Sequence, residues 1–147
     1  TRLGLYYTAA EANVYIAAHR AKTLFIDVRD PAELHTLGMP TAVDANVPLQ
    51  RLNVGKWDAA KKRFAFDDNP DFVSGVDARL KAKRLGKNDV VIVLCGQGTR
   101  TPAAVATLAK AGYTRVYSVV DGYGGWQRSE LPWDRELDRA KMYGNPR

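Results

Sequence analysis

The stretch Val90 to Gly112, VVIVLCGQGTRTPAAVATLAKAG, decides the fold and most of the functional reading. Val90 to Leu94 is an apolar run of the kind found in strands buried on both faces of a parallel sheet. Cys95 to Arg100 (CGQGTR) is a short glycine-bearing loop. Thr101-Pro102 then opens a helix that should run to Ala111, with Gly112 as its stop. A buried strand passing through a tight loop into a helix is half of a doubly wound unit, and such sheets bind ligands beyond the carboxyl ends of their strands. Cys95 stands at one such end.

Working outward, Arg115 to Val120 reads as the next strand, and a glycine-rich turn, Asp121 to Gly125 (DGYGG), leads to Trp126. On the amino-terminal side, Thr8-Ala9-Ala10-Glu11 is a capping box opening a helix to about Arg20. Thr23 to Val28 (TLFIDV) reads as a buried strand, and Asp30-Pro31 starts a short helix through Leu37. Ala42 to Pro48 alternates enough for another strand. Residues 51–69 read as irregular, at most a hairpin, with Trp57, Phe64 and Phe66 expected to anchor a satellite core. Asn69-Pro70 caps a helix that places Phe72, Val73, Val76 and Leu80 on one face and crowds Lys81, Lys83 and Arg84 at its end. Strands alternating with helices argue for an α/β fold.

A chain of 147 residues accommodates one domain, expected over residues 1–147, with 49–87 as an extended connection and 127–147 as a charged tail. A single cysteine excludes an intramolecular disulfide and any zinc site built on cysteine pairs, and no metal is expected. The net charge is +6, and residues 51–87 hold ten basic side chains against five acidic ones. Those acids are interspersed and no nucleic-acid-binding module is recognisable, so the segment reads as a solvated face rather than a nucleic-acid surface. No stretch approaches the ~20 apolar residues of a membrane span, and no membrane partner is expected. The sequence starts at Thr1, and its tail resembles that of exported single-domain proteins. The expectation therefore leans to an exported, periplasmic protein, with the cytoplasm as the alternative.

Several effects converge on the cysteine loop. A thiol at a helix N-terminus feels the positive end of the helix dipole, which favours the anionic sulfur. Gly96 and Gly98 permit backbone conformations that turn successive N–H groups inward as an anion nest. Arg100 adds a permanent charge and a planar fork of donors suited to an oxyanion. A lone cysteine is more often a small buried apolar residue. The two glycines, Arg100 and the immediate helix start shift the balance toward a nucleophile beneath an anionic substrate.

These residues resemble the active-site segment of rhodaneses, a sulfurtransferase family with the pattern C-x-x-G-x-R followed by Ser or Thr. Phe25-Ile26-Asp27-Val28-Arg29 with Glu33 is similar to the family's N-terminal motif. Ala111-Gly112-Tyr113, Val116-Tyr117 and DGYGGW are similar to its C-terminal signature. The resemblance implies a rhodanese-like three-layer sandwich, with a mainly parallel five-stranded sheet and helices on both faces. It also implies chemistry at Cys95, which would take sulfane sulfur from a small anionic donor such as thiosulfate and hold it as a persulfide. The acceptor would be thiophilic: cyanide, a thiol or an acceptor protein. Gly96, Gln97, Gly98, Thr99 and Arg100 would bind substrate and persulfide, and Asp27, Arg29 and Thr101 would support them. No organic cofactor is implied. The sequence departs from the family where Gly38 is followed by Met39-Pro40-Thr41 instead of a histidine-bearing turn, and at Gly96, where bulkier residues are common.

The competing readings are a non-enzymatic rhodanese-like module that binds proteins or carries persulfide, and a cysteine phosphatase or arsenate reductase. Phosphatase loops hold one more residue between Cys and Arg than the four here, Gly96 to Thr99. By analogy with the family it resembles, the shorter loop suits a single sulfur atom and crowds a phosphate. A cysteine–histidine dyad would need His19 or His35 at Cys95, and a surface place is expected for His35. Between donors, the Thr-Arg end of the loop favours thiosulfate over 3-mercaptopyruvate.

Overall fold

The computed structural model describes residues 6–144. The extremities of the expected domain and tail, residues 1–5 and 145–147, lie outside the described residues. In chain order the elements are β1 (Tyr6–Tyr7), α1 (Ala9–Ala18), β2 (Thr23–Asp27), α2 (Pro31–Leu37), β3 (Met39–Pro40), β4 (Ala45–Asn46), β5 (Gln50–Asp58) and β6 (Arg63–Asp68). They continue with α3 (Phe72–Ala82), β7 (Val90–Leu94), α4 (Thr101–Lys110), β8 (Val116–Val119), α5 (Gly122–Arg128) and β9 (Trp133–Asp134).

Five strands form one sheet in the order β1-β8-β7-β2-β4, every pairing parallel. The two central strands, β2 and β7, are buried at every position. Successive side chains point to opposite faces, so each apolar run feeds two cores. Leu24, Ile26, Val91 and Val93 pack against Phe72, Val76 and Leu80 of α3 and Ala104, Val105 and Leu108 of α4. Phe25, Ile92 and Leu94 pack against Ala9, Ala12 and Ile16 of α1, Leu34 of α2, and Tyr123 and Trp126 of α5. The architecture is therefore the three-layer α/β sandwich expected from the alternation.

Both helices that open on a capping box do so through local chemistry. Glu11 N–H donates to Thr8 Oγ1 at 3.2 Å, while Glu11 Oε1 accepts from Thr8 N–H at 2.9 Å. Asp30 and Glu33 form the same reciprocal pair at α2. Three expectations change. Residues 51–69 form most of an antiparallel hairpin, β5–β6, from Gln50 opposite Asp68 to Asp58 opposite Arg63, with the register broken by a bulge between Asn53 and Trp57. Its outer face has no layer above it, so Trp57 and Phe64 are not core anchors. They remain 58% and 40% exposed and meet edge to face at 5.2 Å. The strand expected over Ala42 to Pro48 shrinks to Ala45–Asn46, because Phe25 N–H turns to the Asp44 carboxylate at 2.8 Å. The glycine-rich turn before Trp126 is the first part of α5. Glycine disfavours helix by roughly 1 kcal/mol per residue, and here burial of Tyr123 and Trp126 overrides that cost.

The chain after α5 folds back on the body. β9 pairs antiparallel with β3, Trp133 opposite Pro40, and Trp126 Nε1–H donates to Pro132 O at 2.8 Å. Gly38, the point where the sequence leaves the family pattern, has φ +82°, and a Cβ there would lie 2.5 Å from Asp134 O.

Candidate active site

The chain leaves β2 for the edge strand β4 and returns on the other side of β2 as β7, which makes the β2–β7 crevice the switch point of the sheet. The two strands run level from Thr23 opposite Val90 to Asp27 opposite Leu94. The segments leaving the two strands are thereby set side by side: Val28 to Asp30 after β2, and the cysteine loop after β7.

Cys95 continues the parity of Val91 and Val93, and its side chain belongs to the α3–α4 core face. It is completely buried. Its Sγ accepts the N–H of Gly98 at 3.1 Å and of Arg100 at 3.4 Å. Two amides aimed at one sulfur stabilise negative charge on it. The loop curls this tightly because Gly98 has φ +86°, and any side chain there would run into Val120 O. Thr101 Oγ1 donates to Gly98 O at 3.1 Å and fixes the turn. From the other side Tyr123 N–H and Gly124 N–H donate to the carbonyls of Cys95 and Gly96, at 2.8 and 3.0 Å. That contact requires glycine at Gly122, whose Cβ would otherwise sit 2.7 Å from Cys95 O. The glycine-rich DGYGG segment is thus the floor beneath the cysteine loop. The N–H groups of Gly96, Gln97 and Thr99 have no acceptor among the described residues.

Arg100 faces two ways. Its backbone N–H serves the sulfur, while Nη1 and Nη2 bind the two oxygens of Glu33, each at 2.8 Å. Burial by itself would push the Glu33 carboxyl up. The two hydrogen bonds and the charge of Arg100 outweigh it and hold Glu33 below the usual carboxylate range. Glu33 also accepts from Asp30 N–H at 3.1 Å, so one side chain both caps α2 and holds Arg100. The Arg100 guanidinium expected to meet a donor's oxyanion is therefore already answered by a carboxylate.

Asp27 and Arg29, both fully buried, form a pair through Arg29 Nε to Asp27 Oδ1 (2.9 Å) and Nη2 to Oδ2 (2.6 Å). Arg29 Nη2 also donates to Gly38 O at 2.9 Å, and Asn46 Nδ2 binds the carbonyls of Asp27 and Arg29 at 3.0 and 2.8 Å. Arg29 Nη1 has no hydrogen-bond acceptor among the described residues. The Tyr123 ring, 4.3 Å from Arg29 Cζ, supplies the electron-rich face that compensates. These contacts lock the segment that leads into α2 and hence the position of Glu33. Tyr123 Oη in turn donates to Leu37 O at 2.8 Å, and burial pushes its pKa up to about 12, which leaves it protonated near neutrality.

Above the loop lies a cavity of about 480 Å³. Its walls are Gly96, Gln97, Thr99 and Arg100 of the loop, Tyr123, Gln127 and Arg128 of α5, and Gln50, Arg63 and Phe66 of the hairpin. Cys95 is not on the wall; its sulfur is fully buried beneath the loop. The structure thus brings together Cys95, the loop from Gly96 to Arg100, Thr101, Asp27 and Arg29. It leaves the histidines out: His35 is exposed on α2, and His19 lies tilted against the Tyr15 ring with centroids 4.3 Å apart. Among the described residues no group of three or more His, Cys, Asp or Glu is arranged to hold a metal. Sequence reasoning misses Gln50, Arg63, Phe66 and Arg128. No local pattern marks them, because they reach the cavity from separate elements. Glu33 is visible in the sequence as part of the motif after Arg29, but its pairing with Arg100 is not.

Fold and site together define an α/β domain carrying one cysteine in an amide-lined loop at the switch point of a parallel sheet. The family model described as Rhodanese-like domain matches residues 8–129. Thiosulfate sulfurtransferase 16, chloroplastic, of Arabidopsis thaliana is 32% identical over 123 residues, 82% of this chain and 83% of that protein. The chain belongs to the rhodanese family. Rv0390 from M. tuberculosis superposes with a TM-score of 0.64 at 23% identity, covering 89% of this chain and 97% of that one. Thiosulfate sulfurtransferase from Pseudomonas aeruginosa gives 0.66 at 20% identity over 97% of this chain and only 22% of that one. These two likenesses speak to the fold.

Proposed function

We propose that the protein is a sulfurtransferase that moves sulfane sulfur from thiosulfate, or a donor like it, to a thiophilic acceptor through a persulfide on Cys95. The observation that carries the reading is the convergence of the Gly98 and Arg100 N–H groups on Cys95 Sγ at 3.1 and 3.4 Å. The anionic Cys95 sulfur attacks the outer sulfur of thiosulfate. The new Cys95 S–S bond forms as the donor's S–S bond breaks, and sulfite leaves with the electron pair. The terminal persulfide sulfur inherits the negative charge, and the free N–H groups of Gly96, Gln97 and Thr99 are the loop donors left to receive it. An acceptor thiolate or cyanide then attacks the terminal sulfur and releases the Cys95 thiolate. No oxidant or reductant is consumed.

Arg100 acts in this scheme mainly by position. Its side chain ties the loop to α2 through Glu33 and forms part of the cavity wall where the donor's sulfonate would lie. Asp27 and Arg29 hold α2, and Thr101 holds Gly98.

The test is intact-mass measurement after incubation with thiosulfate. One added sulfur atom per chain, removed by cyanide or by reductant and absent from Cys95→Ser, is the expected result. Equal labelling of Cys95→Ser, or none of the wild type, would overturn the mechanism. Steady-state sulfite release with cyanide distinguishes an enzyme, which turns over, from a carrier module, which stops after one equivalent. Arg100→Ala should weaken thiosulfate use while its thiol still titrates.

A further inference from the structure

The cavity is much larger than the donor. Thiosulfate has five heavy atoms; at a water's share of about 30 Å³ each it fills roughly 150 Å³, against about 480 Å³ available. The remaining space is lined by side chains that the loop chemistry does not use. Two of them are cations. Arg63 comes from the hairpin and Arg128 from the last turn of α5, and both line the cavity.

Neither guanidinium has a carboxylate partner among the described residues. The acids nearest Arg63 in its own hairpin are occupied elsewhere: Asp58 Oδ1 accepts from Ala60 N–H and Lys61 N–H, each at 3.1 Å. Asp67 takes Asn53 and Lys56, at 2.7 and 3.2 Å, and Asp68 takes Gln50 at 3.1 Å. Arg63 itself rests on the Phe66 ring, 5.4 Å from the centroid. Arg128 lies across Gly124, close enough that a Cβ there would be 3.1 Å from its Nη1. Arg100, by contrast, is neutralised by Glu33. The hairpin is held over the site by Asp30, which accepts from Leu52 N–H at 2.7 Å and from Arg51 Nε at 3.3 Å.

We propose that Arg63 and Arg128 form a second anion subsite in this cavity, and that it receives the carboxylates of a small thiol acceptor. The apolar part of such a molecule faces Phe66 and Leu37, and its thiolate attacks the terminal sulfur of the Cys95 persulfide. A bond forms between acceptor sulfur and terminal sulfur, the Cys95 S–S bond breaks, and its electrons return to Cys95. The proposal rests on the sulfurtransferase reading for the transfer step and on the cavity alone for the binding step.

Two measurements separate these. Protein loaded with thiosulfate is discharged by mercaptosuccinate, which carries two carboxylates, or by 2-mercaptoethanol, which carries none, and the loss of the extra sulfur is followed by intact mass. Mercaptosuccinate should half-saturate at about tenfold lower concentration, equivalent to about 1.4 kcal/mol. In the double variant Arg63→Gln, Arg128→Gln that preference should disappear. Equal half-saturation in the wild type, or a preference that survives the double variant, would overturn the proposal. Titration of the unloaded protein with succinate, followed by calorimetry, requires no persulfide. Saturable binding that weakens about tenfold in the double variant is expected, and no binding, or binding that the variant leaves intact, overturns the subsite. A protein that binds succinate but never takes up sulfur would sink the sulfurtransferase reading and leave the subsite standing.

Discussion

At the residue scale, the site depends on a few positions where the chain has no freedom. Gly98 is one of them, with its positive φ and with Val120 O where a side chain would begin. Gly98→Ala combines a backbone conformation that costs an L-residue roughly 1–2 kcal/mol with a clash against main chain. A loss of at least about 2 kcal/mol in urea unfolding is expected, together with slower sulfur loading, because the amide on Cys95 Sγ is displaced. The Glu33–Arg100 pair makes a prediction in pH. Glu33 is held below its ordinary value, so the pair's contribution to stability is present above the unfolded value of about 4.3 and fades as pH falls through the lowered folded value. Glu33→Gln should therefore be less stable than wild type at neutral pH, by about 1–2 kcal/mol for a partly buried bidentate pair. The difference should close in strongly acidic solution. Urea midpoints of the two proteins at pH 7 and at successively lower pH check this.

At the scale of elements, the hairpin and α5 show how far context can revise a local reading. Trp57 and Phe64 of the hairpin have the spacing of anchors and are exposed; the glycines of α5 have the composition of a turn and are a helix. The contrast is measurable. Trp57→Ala should change stability by less than about 1 kcal/mol, since the ring is mostly solvated. Trp126→Ala, which empties a fully buried position and strips Pro132 O of its donor, should cost about 3–5 kcal/mol. Urea unfolding with circular dichroism separates the two. Equal losses would mean that the hairpin packs on the body more closely than its exposure indicates.

Across the whole molecule, the sheet divides the interior into two cores that share only the strands between them, and substitutions on the helices of opposite faces should act independently. Ile16→Val on α1 should cost about 1 kcal/mol and Leu108→Ala on α4 about 3 kcal/mol. The double variant should match the sum within about 0.5 kcal/mol. A larger discrepancy in the double-mutant cycle would show the cores coupled through the sheet.

The α/β alternation, the buried strands, the Thr8–Glu11 capping box and the cysteine loop are legible in the sequence, because each is written within a few consecutive residues. An apolar run, a cap spaced three residues from its partner and a Cys-to-Arg loop all carry their physics locally. The tertiary structure decided what the loop faces. Glu33 meets Arg100 across 67 positions because β2 and β7 end level at the switch point. Gly122 to Gly125 turns helical where it packs against the backbone of Cys95 and Gly96. Arg63 and Arg128 come to one cavity from elements with no common sequence pattern. Contacts between distant segments depend on strand order and burial, which no local stretch encodes. The solitary cysteine is therefore readable as a candidate nucleophile from the sequence, while the two arginines gathered above it could be known only from the fold.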